Sequence, residues 1–228
     1  MEDFDALAAS DAVWRAVLAE FRPERAGDSS ILPGWTVHDL INHVLGGSVR
    51  YLLLLRGTEL PIVEATRHND HVRSDPLRCH RSYAEPLNAE FREPGALERT
   101  VHHRAGAFTG LELLRMHVLE QVLHAWDLAR SLDVDDEMPA DLVDYLLGTS
   151  WDLVLRLRGA GRYGAPAAEP SSQTSAQARL LALAGRDEHD HRAVPLQNRH
   201  AASGAARPRP TGPHERNHRR GPRRDRPE

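Results

Sequence analysis

Apolar residues recur every three or four positions along much of the chain, which is the spacing of one buried face on an α-helix. This pattern predicts helices over residues 3–21, 37–55, 109–132 and 139–159. Capping boxes mark two of the starts, one formed by Thr36 with Asp39 and the other by Thr109 with Glu112. A weaker pattern over 76–91 contains Pro86, which we expect to kink or interrupt that helix.

The remaining segments are short or irregular. Residues 57–75 are polar, and β-branched residues between turn formers near 97–104 indicate a short hairpin. A linker rich in Gly, Pro and Ser over 159–175 precedes a short helix over about 176–184. Four long helices without a convincing set of strands predict an all-α protein, a helical bundle whose single domain spans 1–187.

Two adjacent glycines lie inside the second predicted helix. Gly46 and Gly47 each cost that helix about 1 kcal/mol relative to alanine. We therefore expect another segment to approach the helix closely at this point.

Composition narrows the class of protein. Residues 1–187 contain nineteen arginines against twenty-eight acidic residues, and this net charge of −9 argues against nucleic-acid binding by the folded domain. The single cysteine, Cys79, excludes a disulfide framework and a Cys-rich zinc site. No apolar run approaches the roughly 20 residues of a membrane span, and no secretory signal is apparent. We expect a cytoplasmic protein without a membrane span, whose exposed helix faces are compatible with a homodimer.

Residues 188–228 differ from the rest of the chain. They contain ten arginines against five acidic residues, together with five histidines and many prolines. With almost no large hydrophobic residues, we expect them to form a disordered basic tail. A solvated appendage is the plainest interpretation, and binding to nucleic acid, an anionic partner or metals is an alternative. The abrupt change of composition also suggests translation in a shifted reading frame, which sequencing of the gene region would test.

The candidate chemistry lies in the helix predicted over 109–132. Glu120 and His124 are four residues apart and therefore share one helix face, close to the residues expected to be buried. This pair alone is weak evidence for a metal site and is more typical of a local salt bridge on a partly solvated face. His43 lies on an otherwise apolar surface of the second helix, and if it faces the pair the three residues form a His₂Glu set. Such a set with an open fourth position is suited to catalytic zinc.

Four segments in the same order resemble a known family. They are LPGWTVHDLINH at 32–43, EPGALERT at 93–100, LEQVLHAWDLAR at 119–130 and RLLALAGRD at 179–187. Together they are similar to the metal-binding domain of mycothiol-dependent maleylpyruvate isomerases, in particular to single-domain actinobacterial members within the DinB-like superfamily. The resemblance spans roughly residues 4–187.

The resemblance implies a DinB-like four-helix bundle with a divalent metal, usually zinc, on His43, Glu120 and His124. It also implies mycothiol as a co-substrate, activated by the metal for isomerisation or thiol transfer to an electrophilic substrate. Cys79 then need not be catalytic. The chain departs from the family pattern in three ways: it lacks the separate C-terminal α+β domain of the full isomerase, it has Leu32 where a cysteine often precedes Pro-Gly-Trp, and its tail has no recognised counterpart.

Other polar residues have open roles. Three roles are open for His117: a fourth metal ligand, a hydrogen-bond partner of a ligand, or a surface residue. We favour the first two. Asp127 and Asp39 are placed to orient ligand histidines, although helix capping is the simpler role for Asp39. Five histidines in weakly patterned regions are interpreted as surface residues: His68, His71, His80, His102 and His103.

The leading hypothesis is a zinc-dependent protein of this family that activates a thiol or water. The competing hypothesis is a metal-binding bundle without turnover that acts as a sensor or binds a partner protein. A third is a purely structural bundle in which Glu120 and His124 form a salt bridge, so that a chelator leaves its melting temperature unchanged.

Overall fold

The structure is a computed structural model that describes residues 1–165 and 174–187. Within these residues it contains eight α-helices and one β-hairpin. In chain order the elements are α1 (Asp3–Ala19), α2 (Val37–Leu55), α3 (Leu60–Ala65), α4 (Pro76–Phe91), β1 (Thr100–His103), β2 (Gly106–Thr109), α5 (Gly110–Leu132), α6 (Ala140–Thr149), α7 (Trp151–Gly159) and α8 (Ala176–Leu183).

Helices α1, α2, α4 and α5 form the bundle. Helix α1 packs against α5 and α4, and α2 packs against the same two helices, so each of the four has two neighbours. The apolar faces meet in the interior, where Trp14, Leu40, Leu87 and Leu119 are fully buried. Helix α6 packs against α1 and α8. The predicted four-helix bundle is confirmed, but its fourth member is α4, the weakly patterned helix, and not the segment predicted over 139–159.

The two predicted capping boxes are present. Thr36 Oγ1 accepts the amide proton of Asp39 at 3.1 Å, and Asp39 Oδ2 accepts that of Thr36 at 2.9 Å. Thr109 and Glu112 make the same exchange at the start of α5, at 3.1 and 2.7 Å. Capping satisfies amides that the first turn of a helix leaves free. It is also the simpler role expected for Asp39.

Of the two effects expected at Pro86, a kink or an interruption, the interruption does not occur, because α4 is continuous from Pro76 to Phe91. Proline removes the hydrogen bond to the carbonyl four residues earlier, at Ser82. Ser82 is exposed, so water can satisfy that carbonyl instead.

The helix predicted over 139–159 is divided at Ser150 into α6 and α7. Thr149 Oγ1 donates a hydrogen bond to the carbonyl of Tyr145 at 2.8 Å. A threonine that bonds back to the preceding turn competes with the backbone and bends the helix. Helix α3 was not predicted, because six residues are too few to show a helical period.

The predicted hairpin is confirmed, with antiparallel pairs running from Thr100 and Thr109 to His103 and Gly106. The close approach expected at the glycine pair is present at Gly46. A Cβ atom on Gly46 would lie 2.8 Å from Cδ2 of His71. Nη1 of Arg50, in the same helix, would be closer still at 2.6 Å, so the absence of a side chain at Gly46 leaves room for both Arg50 and His71. Gly47 has more room.

The proposed tail at 188–228 and part of the linker, 166–173, lie outside the described residues. Among the helices of residues 1–165 and 174–187, none is long and apolar enough to cross a membrane.

Asp3 ties the start of α1 to two other helices. Its Oδ1 accepts hydrogen bonds from Arg115 Nε at 2.8 Å and from the Tyr145 hydroxyl at 2.7 Å. Burial raises the pKa of Asp3, but the hydrogen bonds from Arg115 and Tyr145 lower it below its usual value. The ionised carboxylate therefore stabilises the folded state.

We predict that Asp3→Asn lowers the free energy of unfolding at pH 7 by about 1–2 kcal/mol. A depressed pKa stabilises the fold above the unfolded value of about 4, and this contribution is lost as the pH falls through the folded pKa. Urea denaturation at pH 7 and near pH 3 measures the difference, which should shrink at the lower pH. Asp5→Asn, an exposed carboxylate in the same helical turn, is the control. An equal loss for Asp3→Asn at both pH values would contradict the assignment.

Candidate metal centre

Three side chains from two helices meet on one side of the bundle. His43 Nε2 on α2 lies 3.5 Å from Glu120 Oε2 on α5, and His124 Nε2 lies 3.4 Å from the same oxygen. All three donor atoms lie within 4.8 Å of one another. Ligands that surround a tetrahedral zinc ion at about 2.0–2.1 Å are themselves roughly 3.4 Å apart. The set therefore fits a divalent metal in both donor chemistry and spacing.

A buried carboxylate orients His124. Asp127 Oδ2 accepts a hydrogen bond from His124 Nδ1 at 2.8 Å. Arg186, which follows α8, donates to both oxygens of Asp127, at 2.8 and 2.6 Å. Because Nδ1 donates its proton to Asp127, the lone pair of Nε2 is the one available to the site.

Two aromatic side chains complete the surroundings. The Tyr163 hydroxyl donates to Glu120 Oε1 at 2.9 Å, which leaves Oε2 to face the two histidines. The Trp35 ring packs against the His43 ring, with centroids 5.0 Å apart. The side chains of His43 and Glu120 are 25% and 27% exposed, so solvent reaches the cluster from this side.

Burial and neighbouring charges set the protonation of the site. Burial lowers the pKa of His43 to about 4, so its ring is neutral at pH 7. Burial also opposes ionisation of His124 and Glu120. The carboxylates of Asp127 and Glu120 nevertheless raise the pKa of His124. Hydrogen bonds from His124 and His43 lower the pKa of Glu120. Arg186 is the main cause that lowers the pKa of the buried Asp127.

His117 does not join this cluster. Its ring lies 5.6 Å from that of Tyr51 and 6.4 Å from that of Phe91, measured between centroids, and its Nε2 is buried without a hydrogen-bond partner. Seven residues separate it from His124, which is roughly 10 Å along a helix. His117 is not among the three residues whose donor atoms lie within 4.8 Å of one another, and its ring lies against Tyr51 and Phe91. Neither favoured role, a ligand or a partner of a ligand, is therefore supported.

Two of the five histidines interpreted as surface residues are buried, so that interpretation is wrong for them. His80 lies 2.7 Å from Asp11 Oδ1 through its Nε2, and His71 packs against Gly46. His103 is half-buried, whereas His68 and His102 are exposed. Contacts between distant segments bury these rings, and no local spacing indicates them.

Sequence reasoning also missed Tyr163 and Arg186. Tyr163 lies in the glycine-rich linker, where no periodic pattern assigns it a partner. Arg186 is the second-to-last residue of the fourth segment of the resemblance, directly after Gly185 and an apolar helix, and these two features are the signals that could have found it.

The sequence profile of the mycothiol maleylpyruvate isomerase N-terminal domain matches residues 7–129, more than half of the chain. The chain belongs to this family. An uncharacterized protein of Mycobacterium tuberculosis, found in two strains, is 28% identical over 130 residues, which are 55% of this chain and 67% of that protein.

Solved structures of the family have the same fold. A crystal structure of a mycothiol-dependent maleylpyruvate isomerase is 18% identical with a TM-score of 0.59, covering 82% of this chain and 89% of the other. The crystal structure of a histidine-to-alanine mutant of such an isomerase is 19% identical with a TM-score of 0.54, and the match covers 67% of this chain and 68% of the other. The fold is therefore the DinB-like bundle of maleylpyruvate isomerases. Family membership supports a mycothiol-related metal-binding domain.

We predict that Arg186→Leu lowers the free energy of unfolding by about 3–5 kcal/mol, because it leaves the buried Asp127 carboxylate without its counter-charge. Chemical denaturation measures this loss. Arg179→Leu changes an exposed arginine on α8 and is the control, with an expected effect within about 0.5 kcal/mol.

Adding Asp127→Asn to Arg186→Leu should restore part of the loss, since the uncompensated charge is then removed. Strictly additive losses in the double variant would show that the two side chains do not act as a pair.

Proposed function

We propose that His43, Glu120 and His124 bind one zinc ion, and that the protein thereby activates a low-molecular-weight thiol, mycothiol, for reaction with an electrophilic substrate. The convergence of three donor atoms within 4.8 Å carries this proposal. Two imidazoles and one carboxylate form a known set of catalytic zinc ligands, in which the fourth position stays open. Bound zinc lowers the pKa of a coordinated water or thiol to about neutrality or below.

The chain's own residues would prepare the site. His43 offers a neutral ring, and Asp127 holds the Nδ1 proton of His124 so that Nε2 is free to bind. Tyr163 fixes the Glu120 carboxylate in one orientation through Oε1. Such outer contacts fix ligand orientation and commonly matter tenfold or more for affinity.

In this proposal the reacting thiol belongs to the co-substrate and not to Cys79. Cys79 is buried on α4 and donates a hydrogen bond from Sγ to the carbonyl of Val72 at 3.2 Å. Burial raises the pKa of its thiol, so little thiolate forms at neutral pH.

The reaction class follows from an activated thiol beside an open position. Attack of the thiolate on an electrophile is the first step of two reaction classes. In an isomerisation the thiol is released again, and in an S-transfer the sulfur stays attached to the product. We further propose that residues 1–187 act as the single metal-binding domain and that the reaction takes place in the cytoplasm.

Elemental analysis of the full-length, untagged chain tests metal binding. We expect about one zinc ion per chain after chelator-free purification and zinc resupply. His43→Ala, Glu120→Ala and His124→Ala should each lose most of this zinc, because each removes one of three protein ligands. His68→Ala alters an exposed histidine away from the cluster and should retain it. Zinc content in all three ligand variants equal to that of the parent would refute the site.

Thiol-dependent turnover tests the reaction. The zinc-loaded chain should accelerate conjugation of mycothiol to an electrophilic aryl halide, and His124→Ala should abolish the acceleration. A chain that binds zinc at these residues but gives no turnover would support a sensor or partner-binding role instead.

A further inference from the structure

Four arginines lie near the candidate metal centre, and two of them pair with one carboxylate, Glu64. We call them the arginine cluster, and its members come from α2, from the turn after α3, from the turn of the hairpin and from the segment after α7: Arg50, Arg67, Arg104 and Arg162. Glu64 accepts from Arg67 Nε at 2.6 Å and from its second nitrogen at 3.0 Å. Arg104 lies 3.7 Å from the same carboxylate.

Positive charge exceeds negative charge in this cluster. Within the part of the chain that the structure describes, neither Arg50 nor Arg162 has a carboxylate oxygen within 4 Å. The Nε atoms of Arg104 and Arg162 are buried without a hydrogen-bond partner. Arg50 is only 6% exposed and donates to the backbone carbonyl of His43 at 3.1 Å. Buried donors without acceptors are costly, so the cluster is suited to an acceptor that binds there.

The positive charge of the cluster shifts the pKa values of its own members and of His103. Burial first, and then the charges of Arg67 and Arg162, lower the pKa of Arg104 to about 10. Burial and then the charges of Arg104 and Arg67 lower the pKa of His103 to about 4. Arg162 likewise has its pKa lowered by burial and by Arg67. All these groups keep their ordinary neutral-pH forms, so the arginines stay charged.

Two members of the cluster connect it to the residues of the candidate metal centre. Arg50 contacts the backbone of His43, and Arg162 directly precedes Tyr163, which binds Glu120. The side chains of Arg67 and Arg104 are 21% and 16% exposed, so a solute can reach them.

We propose that the arginine cluster is an anion subsite that binds a carboxylate of the electrophilic substrate next to the metal centre. Guanidinium groups present paired donors that match the two oxygens of a carboxylate. A carboxylate there would satisfy the free donors and offset the excess charge. The assignment to the electrophile rests on the proposed function, whereas the subsite itself rests on the arginines.

Binding of a simple dicarboxylate tests the subsite. The full-length chain is freed of metal with phenanthroline, an uncharged chelator that cannot occupy an anion site, and then desalted. Calorimetric titration at constant ionic strength should show saturable binding of succinate and none of succinamide. Arg104→Gln and Arg162→Gln should each weaken succinate binding about tenfold or more.

Arg56→Gln is the matched control, because Arg56 is an exposed arginine paired with Glu90 outside the cluster. It should bind succinate like the parent, and circular dichroism should show that all variants are folded. Absence of saturable succinate binding, or equal affinity in the folded cluster variants and the parent, would overturn the subsite.

The two proposals can fail separately. Zinc binding without succinate binding would support the metal centre and contradict the anion subsite. Succinate binding without zinc binding would support the anion subsite and contradict the metal centre. With zinc-loaded protein and mycothiol, kcat/KM should be higher for a chloronitrobenzoate than for the matching chloronitrobenzamide, after correction for their uncatalysed rates. Arg104→Gln should remove this preference. A preference that survives Arg104→Gln and Arg162→Gln would overturn the assignment of the carboxylate to the electrophile.

Discussion

The buried carboxylate of Asp127 links the fold to the candidate site. It accepts hydrogen bonds from Arg186 on one side and from His124 on the other, so one ionised group is shared by the segment after α8 and by the face of α5 that carries Glu120 and His124. A charge at this depth is tolerated only when its partners are in place. The position of α8 and the orientation of the His124 ring are therefore coupled, although α8 itself supplies no donor atom.

The four-helix bundle gives the site its geometry. Helix α5 carries Glu120 and His124 one turn apart, and α2 packs beside it with His43 at the same level. Helix α2 is in turn approached by His71 at Gly46, where a side chain on the helix would collide. The donor atoms thus depend on close helix packing, which is rigid compared with a loop.

Charge is distributed unevenly within an acidic protein. Residues 1–187 carry a net charge of −9, yet Arg50, Arg67, Arg104 and Arg162 gather with a single carboxylate, Glu64, beside the three donor atoms. A bound divalent cation would add further positive charge there. The site is therefore suited to anionic reactants such as a thiolate and a carboxylate, because both gain from the field of the cluster.

Local sequence determined the helix starts, the hairpin and the Glu120–His124 pair, because capping and helical spacing act over a few residues. The position of His43 on an apolar helix surface suggested it as a third ligand if it faces that pair, and the resemblance to a family implied the same three residues. Only the tertiary structure brought Arg186 and Tyr163 to the site and gathered the arginine cluster from four segments. Such contacts join residues far apart in the chain, and the free energy that holds them comes from packing and from pairing of buried charges, which no local pattern records.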